Sequence, residues 1–193
     1  MILTLRNLLF QTIKSPQSAA VDLMKLNLNR DALWSALALA CVLNTLLFFV
    51  ANIVAPLPPE MALPMLSTPV SFLVFWASTA VISVFTLYWA GHAIGGKARF
   101  ADVLAVITWL QLLRVVVQLC SIVLLIASPG LLLVFGLGTA LYSLWIAVHF
   151  LNVIHGFSSL GKSIFLLVLS FFALVVGLVF LIMVIGIVAE GIL

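Results

Sequence analysis

The sequence contains few charged residues: eight Lys and Arg and five Asp and Glu among 193 residues, or 7%. Soluble domains carry about 25% charged and about 45–50% apolar residues. Here 66% of the residues are hydrophobic, and the mean hydropathy is +1.41. Such a chain cannot cover a globular surface in water, so its composition predicts an integral membrane protein. The basic residues form no concentrated patch, which argues against a nucleic-acid partner.

The sequence also lacks the side-chain arrangements that carry catalysis or bind metals. It contains no HExxH, GxSxG, CxxC or Walker motif. Its three histidines, His92, His149 and His155, have no carboxylate or cysteine at metal-ligand spacing. We therefore predict that the protein is not an enzyme and has no catalytic residues, bound metal or cofactor.

Cysteine is rare as well, with only Cys41 and Cys120. Counted along their predicted helices at 1.5 Å per residue, the two differ in depth by roughly 13 Å. Because a disulfide requires Cα atoms within about 7 Å, we expect two unpaired packing residues. The two cysteines do not indicate whether the protein resides in an oxidising or a reducing compartment.

Long apolar runs are abundant, and five of them reach the roughly 20 residues that a helix needs to cross a bilayer. They cover residues 33–55, 70–94, 103–127, 131–154 and 164–189. The fold class predicted is all-α: a polytopic membrane protein with five transmembrane helices. Five of the seven prolines lie in residues 56–69, which we interpret as a stiff structural link, with a peptide-docking site as the alternative.

The basic residues outside the spans indicate the orientation. All seven lie on one side of the membrane if the N-terminus is cytoplasmic: Arg6, Lys14, Lys25, Arg30, Lys97, Arg99 and Lys162. The opposite loops carry none. The positive-inside rule then predicts a cytoplasmic N-terminus and an external C-terminus.

The segment before the first span has the pattern of two amphipathic helices. Leu5, Leu8, Leu9 and Ile13 share one helical face, and Ser15–Pro16 is typical of the start of a second helix. We divide the chain into an amphipathic cytoplasmic or interfacial segment, 1–31, and a five-helix transmembrane domain, 32–193. The segment either lies on an anionic leaflet or packs on the helix bundle, and both can hold together.

One charge, Arg114, lies in the middle of a span. A guanidinium at the bilayer centre costs roughly 2.5–3.5 kcal/mol. Gln111, Arg114 and Gln118 share one helical face, and counting depth along the spans predicts a midplane polar layer that also includes Asn44, Ser83 and Tyr142. The layer is a structural strut, a ligand or ion pathway, or a contact for lipid or a partner protein.

Two further groups of polar residues are candidates for function. In the fourth span Tyr142, Trp145, His149 and Asn152 share a face, where His149 is either a hydrogen-bonded packing residue or a titrating group. Asp102 opens the third span as a helix cap, which is favourable at a helix N-terminus. The alternative is a cytoplasmic contact site formed by the loop residues Lys97, Arg99, Asp102 and Lys162.

Three stretches resemble the Yip family, integral membrane proteins that carry a Yip-one domain. GHAIGGKARFADVLAVITW, residues 91–109, is similar to its Gly-Gly-Lys-x-x-Phe segment, and LWIAVHFLNVIHGFSSLGKSIF, residues 144–165, to the segment entering its last helix. SPQSAAVDLM, residues 15–24, resembles the lead-in of bacterial members. The resemblance implies five helices, a cytoplasmic N-terminus and, for this compact form, the bacterial inner membrane.

Eukaryotic relatives act in membrane trafficking and bind Rab GTPases. This sequence lacks their long N-terminal region and their Asp-Leu-Tyr-Gly-Pro signature, which argues against a Rab-type partner. The resemblance therefore favours a non-enzymatic scaffold or adaptor whose partners are membrane lipids, other membrane proteins or further copies of the chain. A small transporter or channel that uses the polar layer around Arg114 is the alternative.

Overall fold

A computed structural model describes residues 2–56 and 68–192. Most of the proline-rich link, residues 57–67, lies outside them. The described chain forms seven helices: α1 (Ile2–Lys14), α2 (Pro16–Lys25), α3 (Arg30–Val54), α4 (Pro69–Ala93), α5 (Phe100–Ala127), α6 (Pro129–His155) and α7 (Leu160–Ile192). The last five are long and apolar enough to cross a membrane, which confirms the predicted five spans of a polytopic all-α protein.

Local chemistry sets the helix ends. Pro16, Pro69 and Pro129 occupy first-turn positions, where the missing N–H of proline is no loss. Asn29 caps α3 by accepting a hydrogen bond from the Ala32 amide at 2.7 Å. Gly156 ends α6 with φ +65°, a left-handed conformation that favours glycine.

The bundle has two unlike halves. We call the end with the α4–α5 and α6–α7 loops proximal and the end with the α5–α6 turn at Ser128 distal. In the proximal half α5 is central, and its residues from Asp102 to Trp109 are all buried. Its most extensive contact is with α3, while α4 and α6 both pack on α7.

The distal half is open around α6. Of residues 131–145, all are exposed except Leu132, Phe135 and Thr139, which are partly buried. These three residues share one helical face, which packs on the bundle, so the rest of the surface of this part of α6 is open to lipid or to another protein.

The two N-terminal helices form a hairpin that packs on the proximal half of the bundle. Gln11 of α1 donates a hydrogen bond to the Asp22 carboxylate of α2 at 2.8 Å. Ala19, Ala20 and Leu23 of α2 are buried, and α2 contacts both α5 and α6. Of the two arrangements considered for this segment, the structure shows packing on the bundle, whereas contact with a leaflet stays a prediction.

Candidate functional site

A buried amide links three helices near the middle of the bundle. Asn44 of α3 is 1% exposed, and its Nδ2 donates to the carbonyl oxygens of Ala40 at 2.8 Å and of Gln111, on α5, at 3.2 Å. Trp76 of α4 donates from Nε1 to the Gln111 side-chain oxygen at 3.3 Å. Hydrogen bonds within the chain thus engage both amides, as in a structural joint between α3, α4 and α5.

Arg114 lies beside this joint, at position 15 of the 28 residues of α5. Its Cζ is 3.9 Å from the centroid of the Trp76 ring, a cation–π contact. The residue is otherwise exposed, and the structure shows no hydrogen-bond acceptor for its guanidinium among residues 2–56 and 68–192. The Trp76 ring thus covers one face of the guanidinium, while its N–H donors remain available to lipid, water or a partner outside the bundle.

Gln118 lies one helical turn further along α5 and lines a cavity of about 210 Å³ in the distal half. Its side-chain oxygen is buried and has no hydrogen-bond partner. The other lining residues come from α3, α5 and α6, and most are apolar: Leu47, Phe48, Ala51, Ser121, Ile122, Leu125 and Leu132. The cavity is therefore suited to an apolar group rather than to an ion.

Four other candidate polar residues of the spans, from the predicted polar layer and from the polar face of α6, lie outside the joint. Ser83 donates to the Thr79 carbonyl of its own helix at 2.7 Å, and His149 Nδ1 donates to that of Trp145 at 2.9 Å. Tyr142 donates to the Ile13 carbonyl of α1, and Asn152 to the Ser159 carbonyl at 3.0 Å. The structure brings together Asn44, Gln111 and Arg114, with Trp76 between them, but not these four.

Asp102 is the predicted helix cap. Its carboxylate accepts from the Arg99 backbone amide at 3.2 Å and from the Arg99 side chain at 3.0 and 2.9 Å. These bonds and the negative charge raise the pKa of the Arg99 guanidinium. Lys97 is exposed, but its backbone amide donates to the His155 carbonyl at 3.0 Å, which fastens the α4–α5 loop to the end of α6. Lys162 is exposed near the start of α7.

Replacing Asp102 by alanine is expected to lower the free energy of unfolding by about 1 kcal/mol, because the start of α5 loses its cap. Asp102→Asn keeps a capping oxygen and should cost less than half as much, since the Arg99 side chain is largely exposed and such pairs are weak. Unfolding in mixed micelles measures both. Equal losses in the two variants would show that the charge, rather than the cap, stabilises this helix.

Sequence reasoning missed a compact joint at the proximal end. His155 is 1% exposed, its ring stacks on that of Phe157 at 5.1 Å, and it fills the space beside Gly91 and Gly96. The sequence partly indicated this joint, since both glycines lie in the segment that resembles the Yip family. Nothing in the sequence, however, indicated which side chain they accommodate.

The chemistry of these sites is that of packing and hydrogen bonding. In the part of the chain that the structure describes, no three His, Cys, Asp or Glu residues are placed to hold a metal ion. Cys41 is buried, Cys120 is exposed, and both are free thiols. The membrane-spanning region leaves open the Arg114 guanidinium, the Gln118 oxygen and the distal surface of α6. It also contains buried side-chain oxygens without a hydrogen-bond partner among the described residues, those of Asn44, Thr45, Ser163 and Ser170.

In a comparison with known protein families, residues 10–182 match the family model described as Yip1 domain. The match begins within α1 and ends within α7, so it includes most of the N-terminal hairpin and all of the following four spans. It confirms the resemblance inferred from the sequence. Comparisons with curated proteins and with solved structures give no significant match.

Proposed function

Because the chain belongs to the Yip1-domain family and is an integral membrane protein, we propose that it is a non-enzymatic scaffold or adaptor that acts through contacts with transmembrane helices and lipids. In this proposal its N-terminus is cytoplasmic, its C-terminus is external, and it resides in a bacterial inner membrane. The observation that carries the proposal is the distal half of α6, which the rest of the described chain leaves uncovered.

This part of α6 has a face suited to another helix. Gly136, Ala140 and Ser143 follow one another at i, i+4 and i+7, and all are exposed. Nothing lies within 4 Å of a Cβ built on Gly136, whereas Gly177 of α7 packs within 3.2 Å of Ile82. In lipid, helices associate through such small residues because their backbones can approach closely. The glycine of α7 is used inside the bundle, and the α6 face is free for a partner.

The internal polar bonds support the same function. Asn44, Gln111 and Trp76 bond to one another, while Ser83, His149 and Asn152 bond to backbone carbonyls. A pathway for a polar solute needs such groups to face the solute. Here they hold helices and loops in place, which is what a rigid scaffold requires.

Disulfide cross-linking in native membranes tests the α6 surface. With Cys41 and Cys120 changed to serine, Ser143→Cys should form dimers with a second copy or adducts with a partner under mild oxidation. Val148→Cys is the matched control, because Val148 lies on the same helix but is only 8% exposed. Monomer alone with cysteine at Gly136, Ala140 and Ser143 in turn would contradict assembly through this face.

A transporter or channel is the second candidate function, favoured by the open donors of Arg114. For a scaffold, we expect wild-type protein in vesicles to pass no anion faster than protein-free vesicles do. Arg114→Gln should then reduce cross-linking through Ser143→Cys, while Lys97→Gln, a change of an exposed loop cation, leaves it unchanged. Anion flux by wild-type protein that Arg114→Gln abolishes would instead establish the transporter.

A further inference from the structure

The turn of the N-terminal hairpin reaches the middle of the bundle. Trp109, at position 10 of the 28 residues of α5, donates from Nε1 to the Thr12 hydroxyl at 3.0 Å. Tyr142, at position 14 of the 27 residues of α6, donates to the Ile13 carbonyl. At 1.5 Å per residue, these partners lie about 14 Å and about 20 Å from the proximal ends of their helices. If α5 and α6 cross the bilayer along their whole length, this distance puts the hairpin turn at Lys14–Ser15 at the depth of the hydrocarbon core.

The turn is polar, although this depth is apolar. Lys14, Ser15, Gln17 and Ser18 are all exposed. The described residues include no ion-pair partner for Lys14, since Asp22 of the same hairpin pairs with Lys25 at 2.7 Å. An unpaired ammonium at this depth extends its flexible stem toward the nearer headgroups and draws them toward itself.

Amphipathic aromatic side chains border the same turn. Tyr142 and Trp145 are 40% and 41% exposed, and their rings stack at 5.2 Å. The described part of the chain provides no hydrogen-bond acceptor for Trp145 Nε1. Exposed tyrosine and tryptophan prefer the membrane–water interface, yet these two lie near mid-length of α6. Their position places two amphipathic aromatic side chains beside the Lys14–Ser15 turn, where a headgroup drawn toward Lys14 would meet them.

We propose that Lys14, Tyr142 and Trp145, which we call the hairpin notch, bind the headgroup of an anionic phospholipid from the proximal leaflet. The Lys14 ammonium pairs with the phosphate, Trp145 Nε1 donates a hydrogen bond, and the aromatic rings cover the glycerol region. The charge is complementary, and Asp22 is already engaged by Lys25 and Gln11. The hairpin notch specifies the lipid contact of the proposed scaffold, and it does not depend on assembly through α6.

Native mass spectrometry of protein released from nanodiscs tests the proposal, with phosphatidylglycerol and phosphatidylcholine as the competing probes. We expect the wild-type protein to retain phosphatidylglycerol about fivefold more than phosphatidylcholine, the size expected for one basic residue near an anionic surface. Lys14→Gln should abolish the preference. Lys25→Gln is the matched control, because its ammonium lies on the same hairpin but pairs with Asp22, and it should keep the preference.

A spin label at Ser15→Cys, in the protein with both native cysteines changed to serine, measures the depth of the turn. We expect collisions with oxygen to exceed those with a water-soluble nickel chelate, in contrast to a label at Asn27→Cys in the α2–α3 connection. An aqueous signal at Ser15 overturns the hairpin notch, as does a phosphatidylglycerol preference that survives Lys14→Gln. If either result is obtained while Ser143→Cys still forms cross-links, the lipid site is excluded and the scaffold proposal is unaffected.

Discussion

Replacing Gly91 by alanine is expected to lower the free energy of unfolding by about 3 kcal/mol, at the upper end for an overpacked core. A Cβ at this position would lie 2.0 Å from His155 Cε1 and 2.6 Å from its Nδ1. The ring cannot move aside, because it is 1% exposed and lies between the glycines and the Phe157 ring. Reversible unfolding by sodium dodecyl sulfate in mixed micelles measures the loss.

Replacing His155 by a smaller residue tests whether a clash with its ring causes this loss of stability. In a His155→Ala background, Gly91→Ala should be neutral or stabilising by up to about 1 kcal/mol, because alanine favours the helix more than glycine does. Gly96→Ala is the matched control: its Cβ would lie 2.4 Å from His155 Nδ1 but also 2.7 Å from the Gly91 carbonyl oxygen. His155→Ala should therefore not restore the stability that Gly96→Ala loses, because the clash with the Gly91 carbonyl remains. Equal rescue of both alanines, or of neither, would contradict the proposed clash.

The five spans were predictable because the bilayer imposes one strong constraint. Every backbone group in lipid must bond within its own helix, so the length of an apolar run fixes the element. The span predicted at 33–55 is observed as Arg30–Val54, and the one predicted at 103–127 as Phe100–Ala127. The extra residues at the N-termini are first turns, where polar residues such as Asn29 and Asp102 cap helices beyond the apolar run.

The candidate site was predictable only in depth. Residue counting puts Asn44 and Arg114 at one level, and helical spacing puts Gln111 on the same face as Arg114. The structure joins these three residues through Trp76. Counting does not give the direction in which a helix face points. Tyr142 lies at a similar level but contacts the N-terminal hairpin. Trp76 was missed because the sequence does not distinguish a tryptophan beneath a guanidinium from one that faces lipid.

The joint around His155 shows the limit of glycine patterns. The spacing of Gly91 and Gly95 is typical of close helix packing. In the structure Gly91 and Gly96 accommodate the histidine, whereas Gly95 adopts φ +88° with open space around it. The two glycines and the histidine lie about sixty residues apart in the sequence, and only the folded arrangement of α4 and α6 brings them together.

Replacing Trp109 is expected to release the N-terminal hairpin from the bundle. The side chain is 4% exposed, and its Nε1 donates to Thr12, which is fully buried. Trp109→Ala removes both packing and the hydrogen bond and should cost about 3–5 kcal/mol. Trp109→Phe keeps most of the packing and should cost about 1 kcal/mol, the usual net value of one hydrogen bond.

Trypsin cleavage after Lys14, in protein reconstituted so that the proximal side faces the enzyme, measures this release, because cleavage follows the population of the open hairpin. We expect cleavage to rise steeply for Trp109→Ala and about fivefold for Trp109→Phe. Thr12→Val removes the same hydrogen bond and should match Trp109→Phe, and the double variant should add little because the two share one interaction. Unchanged cleavage in Trp109→Ala would mean that Tyr142 and the buried face of α2 hold the hairpin without this tryptophan.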